Sequence, residues 1–160
     1  MGFFSSITGQ DDRNDKYLST LNRCLWKINE KADHMNVNLS DYYNTRNVIN
    51  FQESSIFFFL AAAAVFDQDL KEKNFLIMPK GEQKALNTIL NDFLRNNGIK
   101  GMDLGTSFRA GASASQVSFG RDYIIAEKTN TYNPDDVMSL FIKSLVDQNP
   151  YNYRKDINYK

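Results

Sequence analysis

Residues 56–66 read IFFFLAAAAVF, and this run of eleven apolar residues decides the fold of the 160-residue chain. As a helix the run would extend about 16 Å, which is about half the hydrocarbon thickness of a bilayer. Glu53 and Asp67 bracket it closely, which disfavours a transmembrane span. The run therefore predicts a buried central helix, and the alanines at 61–64 would let a neighbouring helix approach closely.

The helix that contains this run is predicted to begin near residues 39–40 and to end near Phe66. Asn38 and Asp41 resemble a capping box, in which the Asn side chain accepts a hydrogen bond from a first-turn amide. No proline or glycine follows before Pro79, so nothing in the sequence predicts an interruption.

A first helix precedes it, after an apolar N-terminal lead at residues 1–12. Six apolar residues recur at alternating spacings of three and four, which is a helical stripe of period 3.5. They are Leu18, Leu21, Leu25, Ile28, Ala32 and Met35, with Tyr17 and Cys24 on one flank. This stripe predicts an antiparallel helix pair inside a bundle.

Two further helices have clear end signals. The third is predicted over residues 82–97, with Gly98 in the left-handed conformation that closes a helix and Ile99 making the accompanying apolar contact. The last begins at Asn133, which caps it, followed by Pro134 in the first turn. Its predicted apolar face consists of Val137, Leu140, Phe141 and Leu145.

Residues 99–131, between these two helices, lack a helical stripe. Five of the eight glycines lie between residues 98 and 120, interleaved with four serines. This composition predicts a Gly/Ser-rich loop, and connections of such length are commonly functional. The alternative is a small β-hairpin around 115–128 with Val117, Phe119, Tyr123 and Ile125 facing inward.

These segments together predict an all-α fold. We expect a single helical bundle of four to five helices over residues 1–150, followed by a polar, tyrosine-rich tail at 151–160.

Charge and cysteine content exclude several classes of protein. The chain carries 19 Lys plus Arg and 19 Asp plus Glu, and no segment has a strong excess of one sign. Nucleic-acid binding is disfavoured, because phosphate contacts need clustered cations. Cys24 is the only cysteine, which excludes an intramolecular disulfide. With no secretory signal in the sequence, we expect a cytoplasmic protein.

Enzymatic chemistry has little support in the sequence. His34 is the only histidine, so two-histidine metal sites are excluded, and Cys24 would lie about 15 Å from it along one helix. Neither a phosphate-binding loop nor a dinucleotide fingerprint occurs, and GASAS at 111–115 lacks the final glycine of a nucleophile elbow. We therefore predict no enzyme activity, no catalytic, cofactor-binding or metal-binding residues, and no cofactor.

Glu53 is the one acidic residue that stands out in the sequence, since it enters the apolar part of the central helix. A buried carboxylate there could mark a site, because burial of a charge requires a partner. No second carboxylate or histidine at helical spacing completes such a site. We therefore place Glu53 at the rim of the bundle.

The sequence favours a non-catalytic interaction protein: a subunit or adaptor of a larger assembly, or an inhibitor or immunity-type binder. The partner would be another protein, or the chain itself as an oligomer, held by aromatic and arginine side chains at exposed edges. The candidate partner-binding residues are Phe3, Phe4, Phe108, Arg109, Phe119, Arg121 and Tyr123. The contact surface would be a helix face together with the 99–131 loop.

Two alternatives remain open at this point. A small enzyme could use carboxylates and arginines of the loop without a recognisable motif. A peripheral membrane protein could anchor through Phe3 and Phe4, since MGFFSS also fits the N-myristoylation pattern. One acyl chain would bind a bilayer only marginally, so membrane contact is the less favoured alternative.

Overall fold

A computed structural model describes residues 5–43, 50–70, 79–100 and 114–148 of the chain. Within these ranges there are five α-helices and no β-strand. They are α1 (Ser5–His34), α2 (Phe51–Gln68), α3 (Lys80–Asn96), α4 (Ala114–Thr129) and α5 (Pro134–Asp147), with a 3₁₀ turn at Leu39–Tyr42. The prediction of an all-α helical bundle is confirmed.

Helix α2 is the centre of the bundle, as the sequence predicts. All side chains from residue 52 to residue 66 are buried, and the other four helices pack around them. An ordinary surface helix keeps one face in water, whereas α2 has none over this stretch. None of the helices in the described ranges has both the length and the apolar character needed to cross a membrane.

Helix α4 makes the closest contact with α2. At Gly120, an added Cβ would lie 2.2 Å from the carbonyl oxygen of Phe59, so only glycine fits this crossing. Around it, the ring centroid of Phe141 lies 4.6 Å from that of Phe59 and 5.5 Å from that of Phe119. We call these three phenylalanines and Gly120 the α2–α4 crossing.

The β-hairpin alternative at 115–128 is therefore wrong, and the predicted 99–131 loop is helical from Ala114 to Thr129. Glycine and serine suggested a loop because both favour turns in isolation. Here Gly120 instead permits backbone contact between two helices. Phe119 and Tyr123 face the core, as expected for residues four apart on a helix.

The predicted second helix is divided. Asn38 accepts a hydrogen bond from the Ser40 amide as a cap, but only a 3₁₀ turn follows, and Tyr43 is extended. A second cap, Asn50, accepts from the amide of Glu53 at 2.8 Å and starts α2. Two local capping signals compete in this sequence, and the expectation of one continuous helix from residues 39–40 is wrong.

Helix α1 begins at Ser5, so most of the predicted lead at residues 1–12 is helical. Leu21, Leu25 and Ile28 are buried as predicted, but Leu18 is 38% exposed. The buried face is turned toward Tyr17, Thr20 and Cys24, and the helices that pack closely on α1 are α2, α3 and α5.

Both predicted end signals are confirmed. Gly98 closes α3 with φ of +77°, and the amide of buried Ile99 donates to the carbonyl of Leu94 at 2.9 Å. The side chain of Asn133 caps α5 by accepting from the amide of Asp135 at 2.9 Å.

Candidate functional site

Among the described residues, two of the four exposed large apolar side chains lie on the outer face of α1. Trp26, the only tryptophan, is 58% exposed and Leu18 is 38% exposed. The core-facing residues of this helix are Tyr17, Leu21 and Ile28 among others, and at about 100° per residue Trp26 points almost directly away from them. Its exposure is therefore set by the helix itself.

The exposed residues of α1 from Leu18 to Asn29 are uncharged. We define the α1 outer stripe as Leu18, Ser19, Asn22, Trp26 and Asn29, all of which are exposed. The Asn22 side chain donates to the carbonyl of Leu18 at 3.0 Å and so lies along the helix. A patch of uncharged exposed residues that includes a large aromatic side chain has the composition typical of a protein-binding surface.

Charged residues lie on the flanks of the stripe. The ammonium of Lys27 lies 5.2 Å from the centroid of the Trp26 ring, which is a cation–π distance. It also lies 3.8 Å from the carboxylate of Glu30. These contacts restrict the rotamers of Trp26 and leave more than half of the side chain in water.

A cluster of ion pairs fixes α1 against α2 and α4. Arg23 of α1 contacts Asp67 of α2 at 3.3 Å and Glu127 of α4 at 2.9 Å. Lys128 contacts Asp67 at 3.1 Å, and the Thr20 hydroxyl also donates to Asp67. We call these residues the Arg23 cluster.

Electrostatics in the Arg23 cluster favour fixed charges over proton transfer. Burial alone would raise the pKa of Asp67, but hydrogen bonds from Thr20, Arg23 and Lys128 outweigh it and lower that pKa below 3.8. Burial, with the negative charge of Glu127 beside it, raises the pKa of the Tyr123 hydroxyl. The cluster therefore holds α1 in place.

A small cleft opens beside the Arg23 cluster, between α1, α4 and the start of α5. Its volume is about 170 Å³, and Lys31 closes one side through a 2.6 Å ion pair with Asp135. Ligand pockets for small molecules usually measure about 300 to 1,000 Å³. The lining residues are Lys27, Glu30, Lys31, Tyr123, Glu127, Pro134, Asp135 and Met138, which is no recognisable catalytic set.

Cys24 and His34 lie at different positions along α1, and one is buried whereas the other is exposed. Cys24 is fully buried, and burial raises the pKa of its thiol to about 12, so it is not a nucleophile near neutral pH. His34 is exposed at the last residue of α1. In the described part of the chain, no three His, Cys, Asp or Glu side chains are grouped as a metal site would require.

Glu53 does not lie at the rim, and that prediction is wrong. Its side chain is fully buried, and Oε2 accepts a hydrogen bond from the Lys100 amide at 3.1 Å. The carboxylate thereby ties the segment after α3 to the start of α2. Beside it, Gln52 donates to the carbonyl of Leu145 at 2.9 Å, so polar side chains join three helices at this end.

Three of the seven sequence-predicted partner residues lie in the part of the chain that the structure describes, and two of these three are buried. Phe119 and Tyr123 are buried in the core, because α4 is a helix and not an exposed loop. Arg121 is exposed, and its guanidinium lies 5.9 Å from the centroid of the Phe66 ring. Phe3, Phe4, Phe108 and Arg109 lie outside the described residues.

Trp26 is not among the sequence-predicted partner residues, most of which lie in the 99–131 segment. A signal for it exists in the sequence, since Trp26 follows Leu25 of the buried stripe and a helix places adjacent residues about 100° apart. An unusually large apolar side chain outside the stripe indicates an outward-facing anchor.

Comparisons of the chain with models of known protein families, with curated proteins and with solved structures gave no match.

Proposed function

We propose that this chain is a non-catalytic interaction protein that binds a partner protein through the α1 outer stripe. The observation that carries the proposal is the 58% exposure of Trp26 on a helix face whose exposed residues are uncharged. Tryptophan is among the side chains that contribute most to binding when a partner covers them. This mode of action fits a subunit of an assembly, an adaptor or an inhibitor of another protein. We further propose that the chain acts in the cytoplasm.

The stripe is held rigid before it meets a partner. Its helix is 30 residues long, and the opposite face packs into the core. Arg23 and Lys31 anchor its flank through ion pairs to α2, α4 and α5. Rigid presentation lowers the entropy lost on binding, so a small number of side chains can provide useful affinity.

The test uses the full chain as bait in its source extract, with Trp26→Ala beside the unmodified protein. The matched control is Val146→Ala, because Val146 is a 46% exposed apolar residue on a different helix, α5. We expect Trp26→Ala to lose the captured partner by about tenfold or more, and Val146→Ala to retain it.

The single tryptophan also permits a direct measurement without a label. Addition of the purified partner should shift the emission of Trp26 to shorter wavelength and protect it from acrylamide quenching. A partner that binds equally to Trp26→Ala, with no change in the emission of the unmodified protein, would contradict the proposal.

A further inference from the structure

The ion pairs of α1 leave its charges unequal toward solvent, although the helix contains five Lys and Arg residues and five Asp and Glu residues. Four of the five basic residues form ion pairs. They are Arg13 with Glu82, Arg23 with Asp67 and Glu127, Lys27 with Glu30, and Lys31 with Asp135. Three exposed aspartates, Asp12, Asp15 and Asp33, have no ion-pair partner among the described residues. The charge that α1 offers to a partner is therefore mainly negative.

Asp15 and Asp33 lie on one line along the outer face of α1. They are separated by about five full helical turns, so their side chains project in the same direction. Trp26 lies between them and projects within about 20° of that direction. The line runs from one carboxylate, through the uncharged α1 outer stripe, to a second carboxylate about 27 Å away.

Asp33 is unfavourably placed for the stability of α1 itself. It is the next-to-last residue of the helix, where its negative charge meets the negative end of the helix dipole. The side chain is exposed, and no cation in the described part of the chain pairs with it. A role in binding accounts for a charge that helix stability disfavours.

We infer that the partner of the α1 outer stripe is a basic amphipathic helix. Its apolar face covers Trp26, and Lys or Arg side chains near its two ends pair with Asp15 and Asp33. The inference rests on the proposed function and names the chemistry of its partner. Two carboxylates separated by an uncharged stretch are complementary to two cations separated by an apolar stretch, and such complementarity selects partners.

The geometry of α1 favours a helix as the partner segment. The backbone groups of α1 are hydrogen-bonded within the helix, so a partner docks by its side chains, as an amphipathic helix does. Helices that cross at about 20° stay in contact over several turns, and about 18 helical residues span the 27 Å between the two carboxylates.

Lys16 does not cancel the negative charge of this face. It is exposed, but as the neighbour of Asp15 in a helix it projects about 100° away from that carboxylate. Asp12 lies four residues before Lys16, on the same side of the helix, and offsets its charge. Asp15 therefore remains available to a cation of the partner.

Three synthetic helical peptides test the chemistry of the partner against the full chain. Each has about 20 residues, lacks tryptophan and carries the same leucine face, and the two ends bear lysine and arginine, glutamine, or glutamate. Binding is measured from the emission of Trp26, the only tryptophan. We expect the basic peptide to bind about fivefold or more tighter than the glutamine peptide, and the glutamate peptide to bind most weakly. Added salt should reduce the difference, because it screens exposed charges.

Aspartate variants test the two ends of the face. Asp15→Asn and Asp33→Asn should each weaken binding of the basic peptide about twofold to fivefold, which is the effect of losing one exposed ion pair. The matched control is Asp92→Asn, because Asp92 is exposed on α3, and it should leave binding unchanged. The double variant Asp15→Lys with Asp33→Lys should prefer the glutamate peptide. Circular dichroism of every variant should match that of the unmodified protein, since the replaced side chains are exposed.

A basic peptide that binds no better than the glutamine peptide would overturn the inference, whether both bind or neither does. Equal binding by the unmodified protein and the two Asp→Asn variants would overturn it as well. Self-association through Trp26 in sedimentation would show that a second copy occupies the stripe instead. The proposed function would survive each of these results if a protein were still captured through Trp26, and it would fail only if that capture were absent.

Discussion

The α2–α4 crossing and the α1 outer stripe both contain large apolar side chains, yet their surroundings give them opposite roles. At the crossing, Phe59, Phe119 and Phe141 are fully buried, and Gly120 allows two backbones to touch. On the stripe, Trp26 and Leu18 project into water from a helix that the same core holds in place. Apolar residues therefore stabilise the fold at the first site, whereas at the second they are available for binding.

The largest effect is expected at the crossing from Phe141→Ala. The ring is fully buried and lies close to two other phenylalanines, so its removal leaves a cavity as well as losing apolar contact. We expect the free energy of unfolding to fall by about 4 kcal/mol, measured by urea denaturation. Phe141→Leu, the control, should lose markedly less, and equal losses would mean that the ring cluster is not tightly packed.

Gly120→Ala should come next, with a loss of about 3 kcal/mol in the free energy of unfolding. The new methyl group would meet the backbone of Phe59, which cannot rotate away as a side chain can. Gly81→Ala is the matched control, because nothing lies within 4 Å of the Cβ that it adds in α3. That variant should be stabilised by about 0.5 to 1 kcal/mol through helix propensity. In thermal unfolding, the melting temperature should therefore fall for Gly120→Ala and rise for Gly81→Ala.

Asp67→Asn tests the Arg23 cluster, which joins α1 to α2 and α4 through ion pairs. We expect a loss of about 1 kcal/mol near neutral pH, because partly exposed ion pairs contribute modestly. The pKa of Asp67 is lower in the folded protein, so its contribution is present above pH 3.8 and is lost as the pH falls through the folded-state pKa.

Urea denaturation at several pH values checks this dependence. The stability difference between the unmodified protein and Asp67→Asn should shrink as the pH falls below 3.8. A difference that stays constant into strong acid would show that the carboxylate is not responsible.

The smallest effect on stability is expected from Trp26→Ala, at about 0.5 kcal/mol or less. Most of the side chain is already in water, so its truncation creates no cavity. Circular dichroism and urea denaturation of this variant should match those of the unmodified protein, although the variant no longer binds the partner protein. A loss of stability comparable to that of Phe141→Ala would place Trp26 in the core and end the contrast between the two regions.

Much of the fold could be predicted because its signals are local. The apolar run at 56–66, the closure of α3 at Gly98 and the cap at Asn133 each depend on a few neighbouring residues. The Asn38 cap was identified as well, but a competing cap at Asn50 starts α2. Propensity could not rank the two caps, because packing of the whole helix decides between them.

The candidate site was harder to predict. Phe119 and Tyr123 were expected on a loop because Gly120 lies between them in a glycine-rich segment. Glu53 was expected at the rim because its backbone partner, the amide of Lys100, is 47 residues away in the chain. In each case the deciding contact comes from a distant segment that sequence periodicity does not report.

By itself, the sequence determined that the chain is helical, that residues 56–66 lie at its centre, and that its charge is balanced. These properties follow from local composition and from spacing along one helix. The tertiary structure alone decided that Gly120 is a contact between helices, that Glu53 is buried, and which flank of α1 enters the core. Helices α2, α3 and α5 bury the opposite side of α1, and Trp26 stays in water.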